Sequence, residues 1–340
     1  VLLVRLSAIG DCLQTIPLAW AIRERFPAAD VTWVVERPAA ALMALCPAVD
    51  RLVVVPRGFS LQPRTLWRLR RILRQVQPQI ALDPQGLTKS GLVAWLSGAQ
   101  RRIGLARPAA REINPWLQTE HVVPRQSHRV WRYLELLRPL GGQASCQEAS
   151  PCFGLTIPLP VQQAMHQTTQ RLAGFGPIAV LNPGAGWDSK RWPTERYAEV
   201  ARHLGRRGVR SVVSWGGARE KAWAEAIVAA AAPDAVLAPP TSLVELAAML
   251  KQAALFVGSD TGPLHLAAAV GTPCVGLFGA SSAQDCGPLG DQHILLQKAH
   301  DVSPGRKRPG ADNWAMRRIE AAEVCVACDR LLDRMTGQAA

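Results

Sequence analysis

Leu255-Phe-Val-Gly-Ser-Asp-Thr-Gly-Pro-Leu-His-Leu-Ala-Ala-Ala-Val270 reads as a strand, a tight loop and a helix. Leu255 to Val257 is a short apolar run, the stretch from Gly258 to Gly262 punctuates it, and Pro263 opens an Ala/Leu-rich segment of high helix propensity. Proline is tolerated at the first helical position, which makes Gly262 the expected N-cap. Backbone amides from Thr261 to His265 then point out of the helix start with the positive end of its dipole, beside the Thr261 hydroxyl. This is the outline of a phosphate site, although an ordinary capped βα turn has the same residues.

The same alternation runs along the whole chain. Strands are expected at 1–6, 31–36, 52–55, 80–83 and 102–105, interleaved with helices at 12–26, 38–46, 63–76, 88–97 and 128–138. The Gly/Pro/Ser-rich segment 141–160 reads as a linker. Beyond it, helices at 161–173, 193–206, 218–231 and 242–250 alternate with strands at 178–181, 211–214 and 235–237. After the opening stretch come strands at 274–278 and 294–296 and a last helix, 320–334. Strands separated by helices imply βαβ crossovers and parallel sheets covered on both faces. The expected fold is α/β, with two Rossmann-like, doubly wound domains facing across a cleft and ligands at the carboxyl ends of the strands.

The chain has 340 residues, enough for two domains with sizeable cores. No apolar run approaches the roughly 18 residues a membrane span needs. The N-terminus enters a strand directly, so no signal peptide is expected, and the eight scattered cysteines suit buried reduced thiols in a cytoplasmic protein. Cys325 and Cys328 form a lone C-x-x-C within the last helix, a weak signal for metal or redox chemistry. A formal charge of +13 favours anionic partners. No nucleic-acid-binding module is recognisable, so phosphorylated or membrane-surface substrates are expected and nucleic acid is not.

The loops at the strand ends carry the candidate chemistry. Arg5-Leu-Ser-Ala-Ile-Gly-Asp11 lacks the G-x-G-x-x-G of dinucleotide folds. In it Gly10 permits close backbone approach, and Asp11 is either a helix N-cap or a carboxylate available as a general base. Asp83-Pro-Gln-Gly-Leu-Thr-Lys89 offers Asp83, Gln85 and Lys89, or else a capped helix with a surface lysine. In the second half, the loop from Asn182 to Pro193 places Lys190 and Arg191 where an anion would be met. Ser214-Trp-Gly-Gly-Ala-Arg-Glu220 puts Glu220 at a helix start, a place for a capping carboxylate or a ribose contact.

Taken together, S-A-I-G-D, D-P-Q-G-L-T-K-S, W-D-S-K-R-W-P, W-G-G-A-R-E and S-D-T-G-P-L-H-L-A-A-A resemble the motifs of family 9 glycosyltransferases, the ADP-heptose:lipopolysaccharide heptosyltransferases. They occur in the family's order over nearly the whole chain. The resemblance implies a GT-B fold with an acceptor-binding domain at 1–155 and a nucleotide-sugar-binding domain at 156–318. The segment 319–340 is expected to be a helix that packs back on the first half. The implied reaction moves a sugar, heptose from ADP-heptose, onto a lipopolysaccharide-core or related anionic glycan with inversion.

On that pattern Asp11 matches the base and Lys190 and Asp260-Thr261-Gly262 the diphosphate contacts. Glu220 matches the ribose contact, and Thr241 and Leu243 lie beside the nucleobase. Ser7, Gly10 and His265 complete the donor set implied, and Gln85 and Lys89 belong to the acceptor side. Two departures stand out: Gln14 where many relatives have His, and Ala315 in place of a frequent Cys. No D-x-D occurs in the sequence, so no metal and no cofactor beyond the nucleotide-sugar co-substrate is expected. An epimerase on the same plan, or a non-catalytic nucleotide or glycan binder, is the alternative.

Helix 64–76 adds a surface. At 100° per residue Leu66, Leu69, Leu73 and Val76 share one face while Arg64, Arg68 and Arg71 line the other. No acidic residue occurs between Asp50 and Asp83 to pair them locally. With Arg57, these arginines are expected to meet a lipid-linked anionic acceptor at the inner membrane surface.

Overall fold

A computed structural model describes residues 1–142, 151–174, 176–335 and 337. Cys146 and the middle of the expected linker, 143–150, lie outside the described residues. The chain divides into two compact units, Val1–Thr156 and Ile157–Ala340.

In the first unit the elements run β1 (Leu2–Val4), α1 (Ile9–Leu13), α2 (Ile16–Arg25), β2 (Thr32–Glu36), α3 (Arg37–Met43), β3 (Arg51–Val55), α4 (Pro63–Val76), β4 (Ile80–Asp83), α5 (Thr88–Ser97), β5 (Arg101–Leu105), α6 (Asn114–Leu117), β6 (Glu120–Val122) and α7 (Arg129–Leu134). The second unit has α8 (Leu159–Ala173), β7 (Ile178–Asn182), α9 (Thr194–Arg206), β8 (Arg210–Val213), α10 (Ala218–Ala230), β9 (Ala235–Leu237), α11 (Leu243–Gln252), β10 (Leu255–Ser259), α12 (Gly262–Ala269), β11 (Cys274–Phe278), α13 (Ala283–Cys286), β12 (His293–Gln297), α14 (Trp314–Arg317) and α15 (Ala321–Met335).

Each unit contains a six-stranded sheet, ordered β3-β2-β1-β4-β5-β6 and β12-β11-β10-β7-β8-β9, with every pairing parallel. Counted within its own unit, the second sheet repeats the order of the first. In each, the chain reverses its direction of winding between the unit's first and fourth strands, β1 beside β4 and β7 beside β10. The crevice beyond the carboxyl ends of such a strand pair is where doubly wound folds bind ligands. The central strands are buried on both faces, which accounts for their unbroken apolar runs. At Gly258 in β10, a Cβ would stand 2.8 Å from the Phe256 ring and 3.2 Å from the Asn182 carbonyl, so glycine is the residue that lets β10 close on β7.

Some sequence expectations change in the first unit. The expected helix 12–26 divides into α1 and α2, with Thr15 as the N-cap of α2 and Pro17 in its first turn, where proline's missing N–H costs nothing. The short strand β6, which pairs with β5, was not expected; its three residues are too few to show a period. The last helix, α15, lays Val324, Ala327, Cys328, Leu331 and Leu332 into the second unit's core against α9. Arg207 pairs with Asp329 at 2.7 Å and Asp333 at 2.6 Å along that seam. Cys328 is buried and Cys325 partly so, both as free thiols. No described helix is long and apolar enough to cross a membrane.

Candidate active site

In the first unit the loop after β1 turns directly into α1, and Asp11 occupies the third position of that helix. Its N-cap is Ala8, so Asp11 is not the cap; its carboxylate reaches back to accept from the Ala8 N–H at 3.3 Å. Two guanidinium groups hold it: Arg5 at 2.7 Å on Oδ2 and Arg129, from the first turn of α7, at 2.6 Å on Oδ1. Arg5 is itself fixed, donating to the Pro84 carbonyl at 3.1 Å and lying 5.2 Å from the centre of the Tyr133 ring. Burial alone would raise the Asp11 pKa. The charges of Arg5 and Arg129 and the Ala8 amide outweigh it and hold the carboxyl below its usual value.

The β4 loop sits against this one. Gln85 Oε1 accepts from the Leu6 N–H at 2.8 Å, and Lys89 donates to Ser7 Oγ at 2.9 Å and to Glu36 Oε1 at 2.6 Å. Ser7, assigned by resemblance to the donor, therefore lies in the first unit's own cluster with Lys89. Asp83 has a different part from the one its loop suggested. It is fully buried and accepts from the Gln85 and Gly86 amides, Ser90, Asn114 and Gln118. With its oxygens committed to holding that loop, it offers nothing to a ligand.

In the second unit the β10 loop and the β7 loop meet at Lys190. A short 3-10 turn, Asp188–Lys190, aims Nζ at Asp260, 2.5 Å from Oδ2 and 3.2 Å from the carbonyl. His265 Nε2 lies 2.9 Å from the other carboxylate oxygen. Burial would raise the Asp260 pKa, but the His265 hydrogen bond and the Lys190 charge bring it far below the usual range. Two of the three Lys190 N–H donors are committed to Asp260, which leaves one for an incoming anion. The Lys190 ammonium also lies 4.5 Å from the centre of the Trp187 ring, and the neighbouring Arg191 stacks on Trp223 at 5.0 Å.

The N-cap of α12 is Thr261, with Gly262 the first helical residue and Pro263 the second. Pro263 has no N–H and His265 spends its own on the Thr261 carbonyl at 3.4 Å, so the helix start has fewer amides for an anion than the sequence suggested. Glu220, in the first turn of α10, accepts from the Gly216 N–H at 2.7 Å. Its carboxylate packs so closely on Gly184 that a Cβ there would fall 2.6 Å from it. Burial raises the Glu220 pKa despite that amide. Thr241 and Leu243 flank Ser242, the N-cap of α11, whose hydroxyl accepts from the Glu245 N–H at 3.3 Å.

Arg64, Arg68 and Arg71 are exposed on α4, while Leu69 and Leu73 are buried on the opposite side. Arg57 is also exposed, in the turn before α4. The structure thus sorts the candidates into three groups: Asp11, Ser7, Gly10, Gln85 and Lys89 around the β1/β4 ends; Lys190, Glu220, Asp260, Thr261, Gly262 and His265 around the β7/β10 ends; and the exposed arginines of α4 with Arg57. Arg129 and Glu36 were missed, because a single charged residue at a helix start or strand end carries no sequence signal. Arg5 had one, as a lone cation within an apolar run.

The family model for glycosyltransferase family 9 (heptosyltransferase) matches residues 66–312. The chain belongs to this family. It is a glycosyltransferase. It is 29% identical over 324 residues to lipopolysaccharide heptosyltransferase 1 of Pseudomonas aeruginosa, covering 91% of this chain and 86% of that protein. The family 9 glycosyl transferase of Veillonella parvula superposes with a TM-score of 0.82 at 22% identity, over 98% of this chain and 97% of that one. The E. coli heptosyltransferase WaaC with ADP-2-deoxy-2-fluoro heptose superposes with a TM-score of 0.72 at 25% identity, over 95% and 96%. The two six-stranded parallel sheets are those of the GT-B architecture.

Proposed function

We propose that this glycosyltransferase moves heptose from ADP-heptose onto a lipid-linked, anionic glycan of the lipopolysaccharide core, with inversion at the anomeric carbon. The observation that carries the reading is the Lys190–Asp260–His265 cluster at the carboxyl ends of β7 and β10, beside the start of α12, in a chain whose relatives are lipopolysaccharide heptosyltransferases. Lys190 and the Thr261-Gly262 turn hold the diphosphate, Glu220 the ribose, and the Thr241–Leu243 segment borders the base. Asp11 accepts the proton of the acceptor hydroxyl as its oxygen bonds to the anomeric carbon. The C–O bond to the β-phosphate breaks, and its electron pair leaves on ADP. The Lys190 charge stabilises that leaving group without a metal.

The acceptor side rests on α4. Its arginines stand among exposed apolar groups, Leu61, Ile72 and Trp67, the last 63% exposed with Arg71 stacked at 5.2 Å. Cations beside exposed aromatic side chains suit a phospholipid headgroup layer, and this supports action at the cytoplasmic face of a membrane.

Thermal-shift titration with ADP, UDP and GDP tests the donor. ADP at about 100 times its dissociation constant should add roughly 2.7 kcal/mol of stability. A shift with UDP or GDP and none with ADP would overturn the assignment.

A further inference from the structure

We propose that Arg129 is an acceptor-sensing residue: it holds Asp11 engaged in the free enzyme and releases it when an acidic group on the acceptor takes the guanidinium away. The proposal rests on the reading of Asp11 as the base.

The two arginines on Asp11 differ in exposure. Arg5 is 7% exposed, with Asp11, the Pro84 carbonyl and Tyr133 around it. Arg129 is 38% exposed, begins a helix of six residues, and bonds the other carboxylate oxygen, Oδ1. A guanidinium at the surface is the best side-chain partner for a carboxylate or phosphate, which it binds through paired N–H groups. Asp11 and an acidic acceptor therefore compete for the same cation.

The competition has a chemical consequence. A carboxylate clamped by two guanidinium groups is a poor proton acceptor, and a base must gain proton affinity to serve. When the acceptor's acid group draws Arg129 off, Oδ1 regains a free lone pair while Arg5 keeps the carboxylate in place on Oδ2. The base is then strengthened only when an acidic acceptor is bound, and without acceptor it stays weak towards water. The other ionisable groups near Asp11 are Cys12 on α1, Tyr133 on α7, and Lys89 on α5 with Glu36 at the end of β2. Lys89 and Glu36 are paired with each other at 2.6 Å, which leaves Arg129 as the exposed cation directly on the carboxylate among the described residues.

The test compares two probe acceptors: a truncated core glycan whose acidic sugar keeps its carboxylate, and the same glycan with that carboxylate converted to the methyl amide. With wild-type enzyme, kcat for the amide should fall at least about tenfold, beyond any rise in KM. In Arg129→Gln the two kcat values should agree within about twofold, and donor hydrolysis in the absence of acceptor should rise. Removing the Arg129 charge raises the proton affinity of Asp11, so the acid limb of kcat/KM should move to higher pH, towards the limb seen in kcat. Arg129→Lys should keep part of the discrimination. Asp11→Asn is measured alongside. If it retains full turnover, the base reading falls and this proposal with it. If Asp11→Asn is crippled while Arg129→Gln keeps the wild-type kcat ratio, or changes KM alone, the base stands and the proposal is overturned.

Discussion

Asp11 and Lys190 are both charged groups placed beside opposite charges, yet the consequences of removing them differ. Asp11→Asn keeps the shape and the hydrogen bond from Ala8 but loses the proton acceptor, so turnover should fall roughly 10²- to 10⁴-fold while ADP still binds. Full activity by coupled assay would remove Asp11 from the chemistry. Lys190→Ala takes away the ammonium and also leaves Asp260, 7% exposed, with His265 and the weakly donating Cys286 thiol beside it. Breaking one side of a buried pair costs about 3–5 kcal/mol, so both ADP affinity and the melting temperature should drop. Loss of activity with ADP affinity intact would place the diphosphate elsewhere. Chelator should leave turnover unchanged, whereas inhibition by EDTA that added metal reverses would show that an ion shares the work of Lys190.

Among the elements, β12 carries a titration built into the second sheet. His293 pairs in register with Cys274 on β11, and burial pushes its pKa down to about 4. The folded state therefore keeps the ring neutral, while the unfolded chain protonates it at about 6.5. Above pH 6.5 neither state is penalised. As pH falls from there towards 4 the unfolded state gains a proton first, and stability is lost by about 3 kcal/mol. Urea unfolding at pH 7.5 and 4.5 should show this loss in the wild type, and His293→Phe should lose correspondingly less. Equal losses in the two proteins would show that the ring is solvated. At α4 the same logic of faces applies: Leu69 and Leu73 hold the helix down, so its arginines can be changed without unfolding it.

For the whole molecule the net charge of +13 decides association more than fold. Changing Arg64, Arg68 and Arg71 together to Glu should raise acceptor KM, abolish its salt dependence and leave ADP binding intact. Attraction of this kind is screened over about 8 Å at physiological ionic strength, so the wild-type advantage should be largest at low salt. Kinetics at two salt concentrations with a lipid-linked acceptor make the measurement, and an unchanged KM would return α4 to a merely solvated surface.

The sequence by itself determined the alternation of strands and helices, because a buried parallel strand needs an apolar run and its crossover helix a polar face, both local properties. It likewise set the loops that bear Asp11, Lys190, Glu220 and Asp260, since glycines and caps at strand ends are written in adjacent residues. Tertiary structure decided what those residues do to one another. Asp83 and Asp11 look alike in sequence, each a carboxylate in the loop after a strand. One is closed off by five donors from its own loop, α5, α6 and the residue after it, and the other is held by guanidinium groups from β1's end and from α7, 118 residues away. Arg129 could not be read as Asp11's partner, and α15 could not be assigned to its unit, for the same reason. Charge pairing and burial act through space, across separations that periodicity does not record.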